Sequence, residues 1–245
     1  VRQITADGGV ATKNGHFEAD AIISAVPWHQ LSKLCYQWPV SRRRQIANFD
    51  AIAKIPASPI TGLHLWFDSP ITDLDHAVMV GTVSQWLFRE PFGSRKLDRV
   101  ENLHREHYFQ VVISASADVT ADSKQDLVDQ VLSELRTAFP AARTAKLLRY
   151  RVVTDPNSVF SIRPEVELLR PPTETQIPWF FLAGDWTQTL WPATMEGAVI
   201  SGRKASQLAF RQALRSQGKD DRKVPNPVCP GMKPGFLARF LIKQR

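Results

Sequence analysis

The sequence predicts an α/β fold with α+β character, mixed in its elements, on three observations. Two short runs, Ala21–Val26 and Trp179–Ala183, are almost wholly apolar, as strands buried on both faces of a parallel sheet require. The stretch between them is rich in β-branched and aromatic residues bounded by turn residues. Two longer segments, 122–140 and 193–216, carry helix signals instead.

Taken along the chain, Val1–Thr5 alternates like a strand, Asp7-Gly8-Gly9 marks a turn and Asn14-Gly15 marks a hairpin. Pro27 ends the Ala21–Val26 strand because proline cannot donate to a ladder. Ser41 predicts the cap of a short helix over Arg42–Ile46. Strands are expected over Ile60–Asp68, Ala77–Gly81, Ser84–Phe88 and His107–Ser116. From Asp122 the spacing predicts an amphipathic helix, with Leu127, Val128, Val131, Leu132, Leu135 and Phe139 on one face until Pro140. Lys146–Thr154 reads as a further strand, and a helix follows from about Ala193 to Ser216. Pro225, Pro227, Pro230 and Pro234, with Gly231 and Gly235, read as a linker. No internal repeat is present.

The chain has 245 residues, 31 basic and 24 acidic, for a formal charge of +7. That charge is not spread evenly. Residues 203–245 carry 11 Lys/Arg against Asp220 and Asp221, leaving 20 basic and 22 acidic residues elsewhere. A near-neutral body with a basic tail argues against a nucleic-acid module, as does the lack of interleaved aromatics in the tail. The segment Gly235–Arg245 would place Phe236, Leu237, Phe240 and Leu241 on one helical stripe, with Arg239, Lys243 and Arg245 on the rest. Two readings fit it: contact with a membrane surface, or a helix docked on its own domain. No apolar run reaches membrane-spanning length and no signal peptide is visible. Cys35 and Cys229 are isolated; a disulfide between them stays open, and two lone cysteines suit a reducing cytosol. The first residue is not Met, so the expectation is a processed chain or a piece of something longer.

The most informative segment runs from Phe181-Leu182-Ala183-Gly184-Asp185-Trp186-Thr187 to Trp191-Pro192-Ala193-Thr194-Met195-Glu196-Gly197. It reads as strand, glycine turn, acid, loop and helix. Gly184 lets backbone approach a ligand at the carboxyl end of a strand, where α/β folds bind cofactors. Asp185 can accept hydrogen bonds from sugar or ribityl hydroxyls. The helix start near Thr194–Met195 offers unpaired N–H groups and the positive end of a dipole. This suits a group that gains negative charge. A helix packed closely through Gly197, Ser201, Gly202 and Ala205, with no ligand, fits equally well.

The segment resembles the C-terminal FAD-binding motif of the flavin-containing amine oxidase and phytoene desaturase superfamily. The likeness extends to Ala19–Pro27, which is similar to that family's strand returning from the FAD domain to the substrate domain. Leu63–Pro70, Ser84–Phe88, Val112–Ser116 and Arg170-Pro171-Pro172 resemble the squalene-associated FAD-dependent desaturases, the hydroxysqualene dehydroxylases of hopanoid and squalene synthesis. The resemblance implies part of a Rossmann-like FAD domain over residues 1–30, a substrate domain with a mixed sheet over 31–165, and a C-terminal FAD-binding segment over 166–216. A basic linker and tail would occupy 217–245. It implies FAD as cofactor and cofactor-binding roles for Val1, Gly184, Asp185, Thr194, Met195 and Glu196. Asp185 would contact the ribityl–phosphate portion, the Met195 backbone N–H the pyrimidine edge, and the Val1 backbone the adenine. Trp191 stands where the squalene branch tends to have glycine, and Thr154–Ser158 also departs from the pattern. The family's Gly-x-Gly-x-x-Gly strand-to-helix turn is absent, so the expectation is a C-terminal fragment.

The implied function is an FAD-dependent oxidoreductase acting on a squalene-type isoprenoid. A carotenoid desaturase or amine oxidase on the same scaffold, or a module without catalysis, are the alternatives. Trp66 and Trp86 read either as core or, with Trp191, as lining of an apolar substrate pocket. No general acid or base stands out. His104 and His107, near Glu101 and Glu106, lack a further ligand set for a metal. No Gly-x-Ser-x-Gly elbow supports a hydrolase. Arg42-Arg43-Arg44 reads as a solvated helix face. The partners expected are an apolar isoprenoid and, through the tail, a membrane surface. The expected location is the cytoplasm, peripheral on the inner face of the cell membrane.

Overall fold

The computed structural model describes residues 1–89, 106–119 and 121–228 of the chain. In chain order its elements begin with β1 (Gln3–Ile4), β2 (Gly9–Thr12), β3 (Gly15–Glu18), β4 (Ile22–Ser24), α1 (Trp28–Leu34), α2 (Val40–Arg43) and α3 (Phe49–Ile52). They continue with β5 (Ala57–Phe67), β6 (His76–Val78), β7 (Trp86–Arg89), β8 (His107–Ser114), α4 (Lys124–Ala138) and β9 (Leu147–Phe160). The last three are α5 (Pro164–Glu167), β10 (Phe180–Leu182) and α6 (Met195–Ser216). Packing divides the chain into two units, Val1–Ile55 with Ile162–Arg245, and Pro56–Ser161. The functional segments inferred from sequence cut the chain differently, since they follow motifs rather than packing.

In the first unit, β1, β2 and β3 form an antiparallel sheet in that order. The β2–β3 turn is Lys13-Asn14, one residue earlier than the expected Asn14-Gly15. Gly15 opens β3 at φ +129°, a conformation that side chains resist. β4 and β10 pair in parallel, Phe180 opposite Ile22 and Leu182 opposite Ser24. Phe180, Phe181 and Leu182 are all buried, which explains why β10 reads as one unbroken apolar run. Helix α6 packs on this pair through its small residues, with Gly197, Ser201 and Ala205 buried. Trp28, Leu31, Cys35, Trp38, Ile46, Phe49 and Ile52 of the α1–α3 region are buried as well. The Trp38 indole donates to the Ile4 carbonyl at 2.7 Å, tying this region to β1.

Helix α2 starts after Pro39, so Ser41 lies inside it rather than capping it. Proline at φ −62° supplies the extended residue that the helix start needs. The expected solvated arginine face is partly engaged: Arg43 pairs with Asp50 at 3.6 Å and stands 5.9 Å from the Phe49 ring.

The second unit is a five-stranded sheet in the order β6-β7-β8-β5-β9. Every described pairing in it is antiparallel, where a mixed sheet was expected. Strand β5 alternates strictly: Leu63, Leu65 and Phe67 point to one face, His64 and Trp66 to the other. Phe109, Val111 and Ile113 of β8 join the first face. Leu127, Val128, Val131, Leu132 and Leu135 of α4 cover it. Removing one such side chain, as in Leu63→Ala, costs roughly 2–5 kcal/mol because the cavity collapses only in part. The cap of α4 is Ser123, whose hydroxyl accepts from the Asp126 N–H at 3.1 Å; Asp122 precedes it. The Glu134 carboxylate of α4 accepts from the N–H groups of Val83 and Ser84 at 3.0 and 2.8 Å, fixing the turn before β7.

Candidate functional site

Two regions carry chemistry, one in each unit. The first is the loop from β10 to α6. The Ala183 N–H donates to the Ser24 carbonyl at 2.9 Å, which continues the parallel ladder to the strand's end. Gly184 follows at φ +136°, and its N–H donates to the Ser201 hydroxyl of α6 at 2.8 Å. Its carbonyl accepts from the Thr187 hydroxyl at 2.8 Å. The Trp186 indole, buried, donates to the Val26 carbonyl at 3.0 Å. A side chain on Gly184 would meet that indole at 2.5 Å, so the closeness of the turn excludes any other residue.

Asp185 is half-buried, and burial pushes its carboxyl above the usual range. The N–H groups of Asp185 and Trp186, and the Arg170 charge, act against that rise. At the other end of the loop, the Thr194 hydroxyl accepts from the Gly197 N–H at 3.3 Å and caps α6. Met195 is 88% exposed, and Thr194 and Glu196 are exposed beside it. The first N–H groups of a helix have no partner within it, so this exposed end is open to an acceptor. A Cβ on Gly197 would stand 2.8 Å from the Pro192 carbonyl, which keeps that position small.

The expected residues Gly184, Asp185, Thr194, Met195 and Glu196 thus all belong to one strand–loop–helix segment. Val1 instead lies exposed just before β1 of the three-stranded sheet. Trp191 lies in the loop and is 46% exposed. Arg170, quoted in sequence only for its motif, was not assigned a role there. Its side chain is buried and donates to the carbonyls of Asp185, Thr187 and Trp191.

The second region is the face of the five-stranded sheet opposite α4. Reading Trp66 and Trp86 as core fails here. Both lie on this face, because register pairs Trp66 with Tyr108 and Trp86 with Val112, away from Leu65 and Val111. Trp86 is 39% exposed and stacks on Phe88 at 5.8 Å. Trp66 lies 5.1 Å from the Tyr108 ring, with the Arg149 guanidinium 4.0 Å over its own ring. Phe88, Tyr108, Gln110 and Val112 line a concavity of about 310 Å³, which the two tryptophans flank. Sequence reasoning missed these four, although Tyr108, Gln110 and Val112 alternate along β8 as one face must. His64 Nδ1 and the Tyr108 hydroxyl are 2.6 Å apart. Burial, and then the Arg151 charge, hold the His64 imidazole below its ordinary value, while burial pushes the Tyr108 phenol up. Both shifts favour the neutral forms of this pair, on an aromatic face that Arg149 and Arg151 border from β9.

His104 and Glu101 lie outside the described residues. His107 opens β8, and Glu106 pairs with Arg149 at 2.7 Å. Among the described residues, no group of three or more His, Cys, Asp or Glu is placed to hold a metal, and no helix is long and apolar enough to cross a membrane. The tail stripe of Phe236, Leu237, Phe240 and Leu241, and Cys229, fall outside the described residues.

Known proteins resemble this chain over most of its length. The chain is 30% identical over 201 residues to a 15-cis-phytoene desaturase of Synechococcus elongatus, covering 78% of this chain and 40% of that protein. It is 34% identical over 201 residues to the corresponding chloroplastic/chromoplastic enzyme of an Oncidium hybrid cultivar, covering 77% and 32%. The chain therefore spans well under half the length of these relatives. Among solved structures, an oxidoreductase from Methanosarcina mazei superposes with a TM-score of 0.58 at 14% identity, over 82% of this chain and 46% of that one. Cyclohexylamine oxidase from Brevibacterium oxydans does so with a TM-score of 0.57 at 15% identity, over 85% and 46%. At such identities the likeness shows a shared fold. Residues 1–209 match the family described as flavin containing amine oxidoreductase, and the chain belongs to that family.

Proposed function

We propose that this chain serves an FAD-dependent oxidoreductase acting on a long isoprenoid hydrocarbon, with a phytoene-type polyene as substrate. The observation that carries this reading is the similarity to phytoene desaturases over 201 residues at 30–34% identity. It favours a carotenoid-type substrate over the squalene type expected from sequence wording. FAD is the cofactor that family membership implies.

The β10–α6 segment fits such a group on its own geometry. Gly184 leaves no Cβ at the end of β10, and Gly197 none at the start of α6. Asp185 would hold ribityl or phosphate-side hydroxyls as an acceptor. The N–H groups at Met195 and Glu196 would hold an electron-rich edge, with the helix dipole favouring negative charge there. Bound flavin supplies two-electron acceptor chemistry for a carbon–hydrogen bond. The aromatic side chains of this face offer a long apolar chain dispersion contacts, and the His64–Tyr108 pair is held toward its neutral form.

The test uses protein made from the complete coding region, with flavin measured by its visible spectrum. Anaerobic incubation with phytoene and a quinone acceptor is expected to give a more conjugated product on chromatography. Turnover of hydroxysqualene alone would restore the squalene-type reading, which the residue runs 63–70, 84–88 and 170–172 favour. Peroxide release from amines, with neither lipid consumed, would replace both. Colourless protein that takes up no FAD would refute all three and leave a non-catalytic module.

We further propose peripheral contact with the cytoplasmic membrane face through residues 203–245, where 11 basic residues oppose two acids. Flotation with anionic but not zwitterionic vesicles is the expected result. Equal recovery with both would refute an electrostatic contact.

A further inference from the structure

We propose that Arg170 is the positioning residue of the β10–α6 loop, holding it in the form that receives the flavin; this rests on the flavin reading above. Arg170 follows α5, and its side chain is 3% exposed. Nη1 donates to Glu167 Oε2 at 2.6 Å. Nη2 donates to the carbonyl oxygens of Asp185, Thr187 and Trp191 at 3.1, 2.6 and 3.2 Å. One nitrogen has two hydrogens, so three carbonyls share them, with Thr187 taking the shortest bond.

These acceptors span the loop from the end of β10 nearly to the cap of α6, a stretch with no ladder of its own. The planar, always-charged fork lets Nη2 gather the three carbonyls while Nη1 holds Glu167, a division between two nitrogens that a lysine ammonium cannot reproduce. Peptide planarity then sends the N–H of Trp186 away from the guanidinium, since it shares a plane with the Asp185 carbonyl. That N–H is one of the two that bond the Asp185 carboxylate. The next strap comes from the same segment: the Gln188 N–H donates to the Pro171 carbonyl at 2.8 Å. A buried guanidinium is costly to desolvate, and here its charge is spent on the loop that carries Asp185 at one end and leads to Thr194 at the other.

The experiment compares Arg170→Lys, Arg170→Met and Glu167→Gln in the flavoprotein made from the complete coding region. Three quantities are read: the FAD dissociation constant of the deflavinated protein, the fine structure of the flavin visible band, and the melting temperature without flavin. Arg170→Lys is expected to weaken FAD at least ~10-fold, about 1.4 kcal/mol, with an altered band and an unchanged flavin-free melting temperature. Arg170→Met should weaken it as much or more. Glu167→Gln, which leaves the carbonyl bonds in place, should stay within about twofold of wild type. A folded Arg170 variant with wild-type FAD affinity and spectrum would overturn the proposal. So would failure of both Arg170 variants to fold, which would make Arg170 a folding residue only. Wild-type protein that binds no flavin would instead overturn the reading on which the proposal rests.

Discussion

Gly184→Ala tests how tightly the flavin-family loop is built. The new Cβ would stand 2.5 Å from Trp186 Nε1 and 2.7 Å from Cδ1. The indole has nowhere to go, being 1% exposed and bonded to the Val26 carbonyl at 3.0 Å. The residue also sits at φ +136°, where a side chain costs about 1–3 kcal/mol. Displacing the indole and leaving its buried N–H unpaired adds about 1–3 kcal/mol. Together these place the loss at about 2–6 kcal/mol. Two other glycines of the same unit separate the causes. Gly15 lies at φ +129° with nothing within 4 Å of its Cβ position, so Gly15→Ala should incur only the backbone cost, about 1–3 kcal/mol. Gly202 is inside α6 with open space around it, so Gly202→Ala should stabilise by about 0.5–1 kcal/mol. Urea unfolding followed by tryptophan fluorescence gives all three values. A Gly184→Ala loss no larger than that of Gly15→Ala would show that the indole does not crowd the turn.

Two further outcomes are expected. His64 has its imidazole held low in the folded chain, chiefly by burial, so the folded state binds fewer protons than the unfolded one below the ordinary value of 6.5. Its contribution is present above that value and is lost as pH falls toward the folded one; wild type should lose stability relative to His64→Gln between about pH 7 and 5, and parallel pH profiles would refute this. The Cys35 thiol is fully buried, and burial pushes it up to about 12. Iodoacetamide at about pH 8 should leave the Cys35 peptide unmodified until the chain is unfolded, and mass mapping that finds fast native alkylation there would refute its burial.

Much of the fold is legible in the sequence because its strongest signals are local. The run Trp179–Ala183 is apolar throughout since both faces of β10 are covered, and α4 shows its buried stripe at helical spacing. Short helices escape this kind of reading. Helices α2, α3 and α5 have four residues each, too few to display a period, and tertiary packing rather than propensity holds them. The tryptophans were ambiguous for a different reason. Trp66 and Trp86 sit on strands with large apolar or aromatic side chains on both faces, so composition says nothing about which face the helix covers. Only register decides, and register is a non-local property. The candidate site was legible where one segment supplies it, from Gly184 to Glu196. Arg170 was not, because its partners are backbone carbonyls from Asp185 to Trp191, and a carbonyl has no letter in the sequence.

The bonds around the loop have a thermodynamic meaning beyond shape. Ser201 fixes the N–H of Gly184, Val26 fixes the Trp186 indole, Pro171 fixes the N–H of Gln188, and Thr194 fixes the first turn of α6. Each partner comes from within the same unit, so the loop is ordered when that unit folds. The conformational entropy of ordering it, on the order of 1–2 kcal/mol per residue, is then charged to folding and not to ligand binding. A site prepared this way gains affinity without additional contacts, and its cost appears as lower stability. Asp185 shows that cost: the loop holds its carboxyl half-buried, and that burial raises it above the usual range. An acid whose folded value is raised binds more protons folded than unfolded, so its contribution to stability falls as pH rises past the model-compound value of 3.8 and through the folded one. Asp185→Asn removes that penalty, and above this range it should make the flavin-free protein more stable while weakening FAD. Loss of both, or of neither, would show that the carboxylate is a structural partner of the loop and not a group held ready for a ligand.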